Sequence, residues 1–151
     1  MSLLKRIDDD MIQALKKRDS FKTTLLRGLK SDIKYKAIEK KDDLSDDEII
    51  AVLSSAAKRR RESIEQFRNG HRQDLVDKET AELTIISQYL PEQMSPEELR
   101  EIITGAIEKT GADSPSKLGL VMKEIMPRIK GKADGKMVNR IVLQLLADGD
   151  D

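Results

Sequence analysis

The sequence predicts an all-α protein, and both composition and periodicity lead to this fold class. Of the 151 residues, 38% are hydrophobic, 37% are charged and only 3% are aromatic, a balance that favours helices with one solvated face over a sheet protein. Apolar residues recur at spacings of three and four, the period of a helix face. We expect two three-helix domains, residues 1–69 and 95–151, joined by a partly helical linker over 70–94.

Three helical patterns fill the predicted N-terminal domain. The first runs over about residues 3–17, and the second covers about 25–37 before a charged loop. Ser45 followed three residues later by Glu48 is a capping box, which predicts the start of the third helix. Gly70 follows the end of this pattern. Because the connections are short, the three helices are expected to form a small antiparallel bundle.

Charged residues interrupt two of the apolar stripes. Arg60 falls on the stripe of the third helix, where it must extend to solvent, pair with a carboxylate or contact a partner. A fourth helical pattern, over about 72–89, contains Glu79 and Glu82 at stripe positions. This segment is therefore predicted to bury less than the others and to act as the linker.

Start and stop signals mark three short helices in the C-terminal domain. Ser95 opens a second capping box, whose first helical residue is a proline. Gly111 is a predicted left-handed C-terminal cap. The next helix runs over about 115–130, and the last begins at Asp134. The acidic end, residues 148–151, is predicted to be a frayed tail.

Positive charge is concentrated in the last third of the chain. The whole chain has 28 basic and 28 acidic residues, whereas residues 117–146 have seven basic and two acidic ones. A pair of helices that gathers this excess around a Gly-Lys-Ala-Asp-Gly turn is a candidate phosphate-binding surface, and tRNA or another structured RNA is the candidate partner.

The candidate nucleic-acid contacts are the basic residues and glycines around this hinge, with polar residues on the outer face of the last helix. They are Lys123, Lys130, Gly131, Lys132, Gly135, Lys136, Asn139 and Arg140. Backbone donors at residues 135–137 and the positive end of the helix dipole would add to an anion site, although Asp134 brings an opposing charge. An ordinary solvated basic face explains the same pattern.

Gly119 and Met122 form a second candidate set, assigned to packing or close approach. Glycine inside a helix costs on the order of 1 kcal/mol relative to alanine, so it requires a compensating reason. Close packing of another helix is the commoner reason, and approach of a ligand is the other. Gly119 lies in line with Lys123 and Lys130 on the predicted helix, which keeps both explanations open.

Residue types exclude several functions. The chain has no cysteine, and its one histidine, His71, has no neighbouring nucleophile or metal-spaced carboxylates. The sequence contains no phosphate-binding loop or dinucleotide fingerprint. We predict no catalytic residue, no metal and no cofactor. No segment approaches the roughly 18 apolar residues of a membrane span, so we expect a soluble, cytoplasmic protein with no membrane partner.

Four segments resemble the GatB/YqeY family, in the same order along nearly the whole chain. They are residues 2–16, 59–83, 88–99 and 119–142. The resemblance implies two dissimilar three-helix domains and a relation to the tRNA-binding tail of the GatB subunit of the glutamine-dependent tRNA amidotransferase. The positions that match the C-terminal motif are Gly119, Val121, Met122, Gly131, Lys132, Ala133, Asp134, Gly135, Val138 and Asn139.

The resemblance implies a non-catalytic, tRNA-binding accessory protein and leaves two alternatives. Family transfer would give carbon–nitrogen ligase activity with glutamine as the amide donor, yet the ammonia-generating amidase and the ATP-dependent catalytic domain of that enzyme lie elsewhere in the complex. The other alternative is a helical protein–protein adaptor that uses the Gly119 flank. Leu120 replaces a basic residue that many stand-alone family members carry beside the glycine, so Lys123, Lys130, Lys132 and Lys136 must supply the charge.

Overall fold

A computed structural model describes residues 2–148, which contain seven α-helices and no strand. The all-α prediction is confirmed. Of the predicted acidic tail, residues 149–151 lie outside the described residues. The helices are α1 (Leu3–Lys16), α2 (Ser20–Lys40), α3 (Asp46–Asn69), α4 (Gln73–Ser87), α5 (Pro96–Thr110), α6 (Leu118–Ile129) and α7 (Gly135–Asp148), with a 3-10 turn at Pro115–Lys117.

The helix starts follow the capping chemistry that the sequence predicts. Ser45 Oγ accepts from the Glu48 amide at 3.2 Å, and Glu48 Oε1 accepts from the Ser45 amide at 3.1 Å. Ser95 and Glu98 make the same reciprocal pair at the start of α5. The Lys40 ammonium, 2.7 Å from Glu48 Oε1, and the two bonds with Ser45 lower the pKa of the Glu48 carboxyl to about 2.

The chain divides into two compact units, with the boundary between Pro91 and Glu92. The first unit contains four helices, because α4 packs on α3 and adds Ile86, together with Tyr89 just beyond it, to the core. This boundary lies near the end of the segment predicted as a linker. The core of the first unit consists of Ile7, Leu25, Leu26, Leu29, Ile33, Ile49, Leu53, Ala56, Ala57, Ile86 and Tyr89.

An ion pair between α3 and α4 explains the two charged residues on apolar stripes. Arg60 Nε donates to Glu82 Oε2 at 3.1 Å, and their side chains are only 21% and 14% exposed. Arg60 also donates through Nη1 to the carbonyl of Ala56 at 3.1 Å. Of the three possibilities open for Arg60, the structure selects pairing with a carboxylate. The same contact shows how α4 packs closely while carrying Glu82 on its inner face.

Tyr89 joins the end of α4 to α1. Its hydroxyl donates to Asp10 Oδ2 at 2.5 Å, and the guanidinium of Arg6 lies 4.8 Å from the ring centroid. Arg6 also donates to the carbonyl of Gln88 at 2.9 Å. Burial of the ring, followed by the bond to the Asp10 carboxylate, raises the pKa of the Tyr89 hydroxyl. These contacts attach residues 88–89 to the first unit.

The second unit is a three-helix arrangement of α5, α6 and α7 with the 3-10 turn. Gly111 ends α5 in the left-handed conformation, with φ of 69°, as predicted. Pro127 lies inside α6, which ends two residues later. The core consists of Leu99, Ile103, Ala106, Ala112, Val121, Ile125, Ile129, Val138, Val142 and Leu146. No helix between residues 2 and 148 combines the length and apolar character needed to cross a membrane.

Candidate nucleic-acid interface

The hinge between α6 and α7 is a tight turn with a defined backbone. Gly131 has φ of 77°, the left-handed conformation that glycine adopts most easily. The amides of Lys132 and Ala133 both donate to the carbonyl of Ile129, at 2.8 and 3.2 Å. The turn therefore closes the C-terminus of α6 by satisfying a carbonyl that the helix itself leaves open.

Two hydrogen bonds hold this hinge against the segment before α5. The amide of Met94 donates to the carbonyl of Lys132 at 2.9 Å, and Gln93 Nε2 donates to the carbonyl of Gly131 at 2.9 Å. Both bonds use backbone carbonyls, so they fix the hinge while its basic side chains stay exposed.

Asp134 caps α7 and occupies part of the expected anion site. Its carboxylate accepts from the amide of Lys136 at 3.3 Å, and its carbonyl accepts from the amide of Val138 at 3.0 Å. This confirms the predicted cap. It also means that an amide expected to face phosphate already has a negatively charged acceptor. An anion at this site would therefore depend on side-chain cations more than on the helix N-terminus.

The candidate residues all lie within reach of solvent. Gly131 is half-buried, and the other seven are exposed: Lys123, Lys130, Lys132, Gly135, Lys136, Asn139 and Arg140. On α7 the core residues Val138 and Val142 lie on the opposite side of the helix from Lys136 and Arg140. The folding of α7 thus turns its basic residues outward.

Several of these cations lack an internal counter-ion. Within residues 2–148, no ion pair involves Lys123, Lys130, Lys132 or Arg140. Two other lysines of the second unit are neutralised: Lys109 lies 2.6 Å from Glu124, and Lys117 lies 2.9 Å from Asp113. Lys117 correspondingly lowers the pKa of the Asp113 carboxyl. Within residues 92–148, most of the cations without an ion pair therefore lie around the hinge and on the adjoining helix faces.

Gly119 and Met122, the second candidate set, have different environments in the structure. Met122 is half-buried and packs against the core of the second unit. Gly119 is exposed, and a Cβ added to it would meet no atom within 4 Å. Helix packing within residues 2–148 therefore does not explain this glycine, although packing was the commoner expectation. Its bare backbone is open to an outside molecule.

Sequence reasoning missed an apolar component of this surface. Leu120 is 53% exposed on α6, and Met126, Met137 and Leu143 are also exposed on α6 and α7. Arg128, exposed in the last turn of α6, is a further cation outside the predicted set. The available signal was the helical period, because these four apolar residues fall off the stripes formed by the core positions.

Residues 4–146 match the model of the YqeY family, described as Yqey-like protein. The chain belongs to the YqeY family. Within residues 2–148, no cluster of three or more His, Cys, Asp or Glu side chains is arranged to hold a metal ion.

Fungal proteins are among its relatives. One, named Altered inheritance of mitochondria protein 41, mitochondrial, from Pyrenophora tritici-repentis, is 27% identical over 95% of this chain and 81% of its own length. The protein of the same name from Vanderwaltozyma polyspora is 33% identical over 80% of this chain and 65% of its own length. An uncharacterized protein of Schizosaccharomyces pombe is 32% identical over 56% of this chain and 69% of its own length.

Proposed function

We propose that this chain is a non-catalytic accessory protein that binds structured RNA, with tRNA as the best candidate, through the exposed basic face of its second unit. The observation that carries the proposal is a set of four exposed cations that have no ion-pair partner among residues 2–148: Lys123, Lys130, Lys132 and Arg140. Lysine and arginine side chains that contact phosphates release condensed counter-ions, which provides affinity without sequence preference.

Residue types in the second unit favour a folded RNA over a single strand. Residues 92–151 contain no Phe, Tyr or Trp. Proteins that bind single strands without sequence preference rely on aromatic side chains on which bases stack. A basic face without aromatic residues can contact phosphates and riboses, whose arrangement is fixed in the helical arms of a tRNA.

Exposed apolar residues on the same helices favour the adaptor function as a second candidate. Leu120, Met126 and Met137 expose enough apolar surface to pack against a partner helix, and Gly119 leaves room for close approach. Participation in tRNA amidation is a third proposal, as an accessory to a separate enzyme. Adding the isolated chain to Glu-tRNA(Gln), glutamine and ATP tests whether it forms amidated tRNA by itself.

Salt-dependent binding tests the leading proposal. The triple change Lys130→Gln, Lys132→Gln and Lys136→Gln removes three charges at exposed positions, so the fold should persist. If all three contact phosphates, the slope of log affinity against log salt should fall by about three units. The measurement is fluorescence anisotropy of a labelled tRNA at several salt concentrations, with circular dichroism to check folding.

A matched control places the same charge change in the first unit. Lys16→Gln, Lys17→Gln and Lys41→Gln also remove three exposed lysine charges. This variant should bind tRNA with an affinity and salt slope close to those of the parent. Equal losses in both triple variants would mean that net charge, and not the hinge face, drives binding. No loss in the hinge variant would exclude this face as the RNA site.

If the exposed apolar residues of this face bind a protein partner and not RNA, removing them should leave RNA binding intact. The pair Leu120→Gln and Met126→Gln leaves every charge in place but removes exposed apolar surface. RNA affinity should then change little. Loss of tRNA binding in this pair, with the salt slope retained, would indicate that apolar contacts dominate the face.

A further inference from the structure

Helix α2 carries apolar side chains on two faces, and the core uses only one of them. Leu25, Leu26, Leu29 and Ile33 are buried in the first unit. On the other side lies an exposed row, which we call the α2 seam. It consists of Phe21, Thr24, Gly28, Ser31, Tyr35 and Ile38.

The α2 seam has the spacing of a helix that packs along another helix. Its members are separated by three, four, three, four and three residues, the heptad pattern of interhelical contacts. Three of them are large and exposed, with Phe21 at 39%, Tyr35 at 74% and Ile38 at 63%. Nothing between residues 2 and 148 buries this row.

Space is open along the first half of the seam. A Cβ added to Gly28 would meet no atom within 4 Å, so packing within the described residues does not explain this helical glycine. Phe21, Thr24 and Gly28 also line an open groove of about 440 Å³ whose far wall includes Arg60 and Glu82. The seam therefore has room for side chains from another molecule.

The charges beside the seam are sorted by sign. One edge of the seam carries Arg27 and Lys34, which directly precede Gly28 and Tyr35 in the sequence. The other edge carries Asp32 and Glu39, which directly follow Ser31 and Ile38. Within residues 2–148, neither Arg27 nor Lys34 takes part in an ion pair. The carboxylates have exposed pairs only: Asp32 with Arg59 at 3.5 Å, and Glu39 with Lys36 at 3.2 Å.

We propose that the α2 seam is the contact surface of a homodimer in which the two α2 helices run parallel. In a parallel pair, each edge residue faces the residue five positions further along the other helix. Arg27 then meets the partner's Asp32, and Lys34 meets the partner's Glu39. Two-fold symmetry doubles this to four attractive pairs.

An antiparallel pair would oppose like charges. In that arrangement each edge lies against the same edge of the other helix. Arg27 and Lys34 would then face cations, and Asp32 and Glu39 would face carboxylates. The sorted charges therefore select both the occupant, a second copy of this chain, and its direction.

Side-chain sizes along the seam suit two helices that cross near their middle. The central positions Thr24, Gly28 and Ser31 are small, which permits close approach of the backbones. Phe21 lies at one end of the seam, and Tyr35 and Ile38 lie at the other. The larger side chains at both ends keep the two helices in contact along the whole seam.

Cysteine cross-linking tests the direction, because the full chain has no native cysteine. In the parallel dimer, Ile38→Cys places two thiols opposite each other, and mild oxidation should yield a covalent dimer. In an antiparallel dimer centred on the seam they would be about 25 Å apart. Lys36→Cys, exposed but off the seam, is the control and should stay monomeric. Equal cross-linking of both variants, or of neither, would overturn the proposal.

Reversing the charges on the edges of the seam tests whether its partner is a second copy of this chain. The full chain should show a monomer–dimer equilibrium by sedimentation velocity over two orders of magnitude in concentration. Arg27→Glu with Lys34→Glu makes both edges acidic, and Asp32→Lys with Glu39→Lys makes both basic. Each variant alone should associate on the order of a hundredfold more weakly, because four attractive pairs become repulsive.

Mixing the two variants should restore the dimer, because an acidic seam then meets a basic one. Circular dichroism would establish that both variants keep their helices. A parent chain that stays monomeric at every concentration would refute the homodimer. Folded variants that remain monomeric when mixed would refute the assigned edges.

Discussion

Breaking the ion pair between Arg60 and Glu82 from one side should destabilise the first unit far more than breaking an exposed pair of the same unit. We consider three variants: Glu82→Leu, Arg60→Met and the double change. Glu82→Leu leaves a guanidinium that is 21% exposed and that keeps, among residues 2–148, the Ala56 carbonyl as its hydrogen-bond acceptor at 3.1 Å. Arg60→Met leaves the Glu82 carboxylate 14% exposed, with Lys78 at 3.7 Å as a weak substitute.

The expected magnitudes follow from the burial of the two groups. Removing one partner of a fully buried pair costs about 3 to 5 kcal/mol, because the remaining charge is left uncompensated. Some water reaches both of these side chains, so we expect each single change to lower the free energy of unfolding by about 2 kcal/mol. The double change removes both charges and keeps apolar volume. It should cost less than either single change, which corresponds to a coupling energy of about 2 kcal/mol or more.

Tyrosine fluorescence during urea unfolding can follow the first unit alone. Both tyrosines, Tyr35 and Tyr89, lie in that unit, and Tyr89 is buried against Asp10. All variants would be compared at one protein concentration. The control is Asp9→Asn, which breaks an exposed pair with Lys5 and should cost less than about 0.5 kcal/mol. The reasoning is refuted if the single changes cost no more than the control, or if their costs simply add in the double variant.

Three further predictions concern backbone, pH and connectivity. Gly119→Ala should stabilise the second unit by up to about 1 kcal/mol, because residue 119 lies in a helix and has open space around it. Gly111→Ala should destabilise the second unit by about 1 kcal/mol, because residue 111 has φ of 69°. Thermal melts followed by circular dichroism would show these opposite effects on stability. The folded structure lowers the pKa of Glu48 to about 2 from an ordinary 4.5. The ionised Glu48 carboxylate therefore stabilises the fold above pH 4.5, and this stabilisation is lost as the pH falls toward 2. Glu48→Gln should remove this part of the pH dependence of the free energy of unfolding in urea. Limited proteolysis should cut within the non-helical residues 90–95 before it cuts α4, and should release a folded C-terminal fragment. Initial cleavage within residues 73–87 would contradict the packing of α4 on the first unit.

Local signals predicted the helix termini because capping depends on residues close together in the chain. The reciprocal bonds of Ser45 and Glu48 need only their own backbone and side chains. The left-handed conformation at Gly111 likewise follows from the absence of a Cβ. These features could be predicted without knowing which helices pack together.

The place of α4 could not be predicted from one helix at a time. Glu82 at a stripe position indicated reduced burial, and Arg60 on α3 was an anomaly of its own. Each charge makes the other acceptable only when the two helices are adjacent. A search for opposite charges at stripe positions of neighbouring helices would have found the pair. Tyr89 is likewise tied to the first unit by a partner that no local pattern shows, because Asp10 lies 79 residues earlier in the chain.

The candidate RNA surface was predictable in composition but not in detail. The helical period placed Lys136 and Arg140 opposite the core of α7, and both are exposed. The pattern did not show that Asp134 would take the amide of Lys136, although aspartate is a preferred capping residue. Counter-ions such as Glu124, which neutralises Lys109 from fifteen residues away, also required the packed structure.

If the α2 seam forms a dimer and the basic face binds RNA, the two surfaces together predict an effect that neither predicts alone. A dimer formed through the α2 seam carries two copies of the basic face, so an RNA that reaches both gains a second, effectively intramolecular contact. Reversing Arg27 and Lys34 should then weaken binding to a full-length tRNA or longer RNA while leaving binding to a short duplex unchanged. If both RNAs are bound as tightly as by the parent chain, the dimer does not contribute to RNA binding. If both are weakened equally, Arg27 and Lys34 contact RNA themselves.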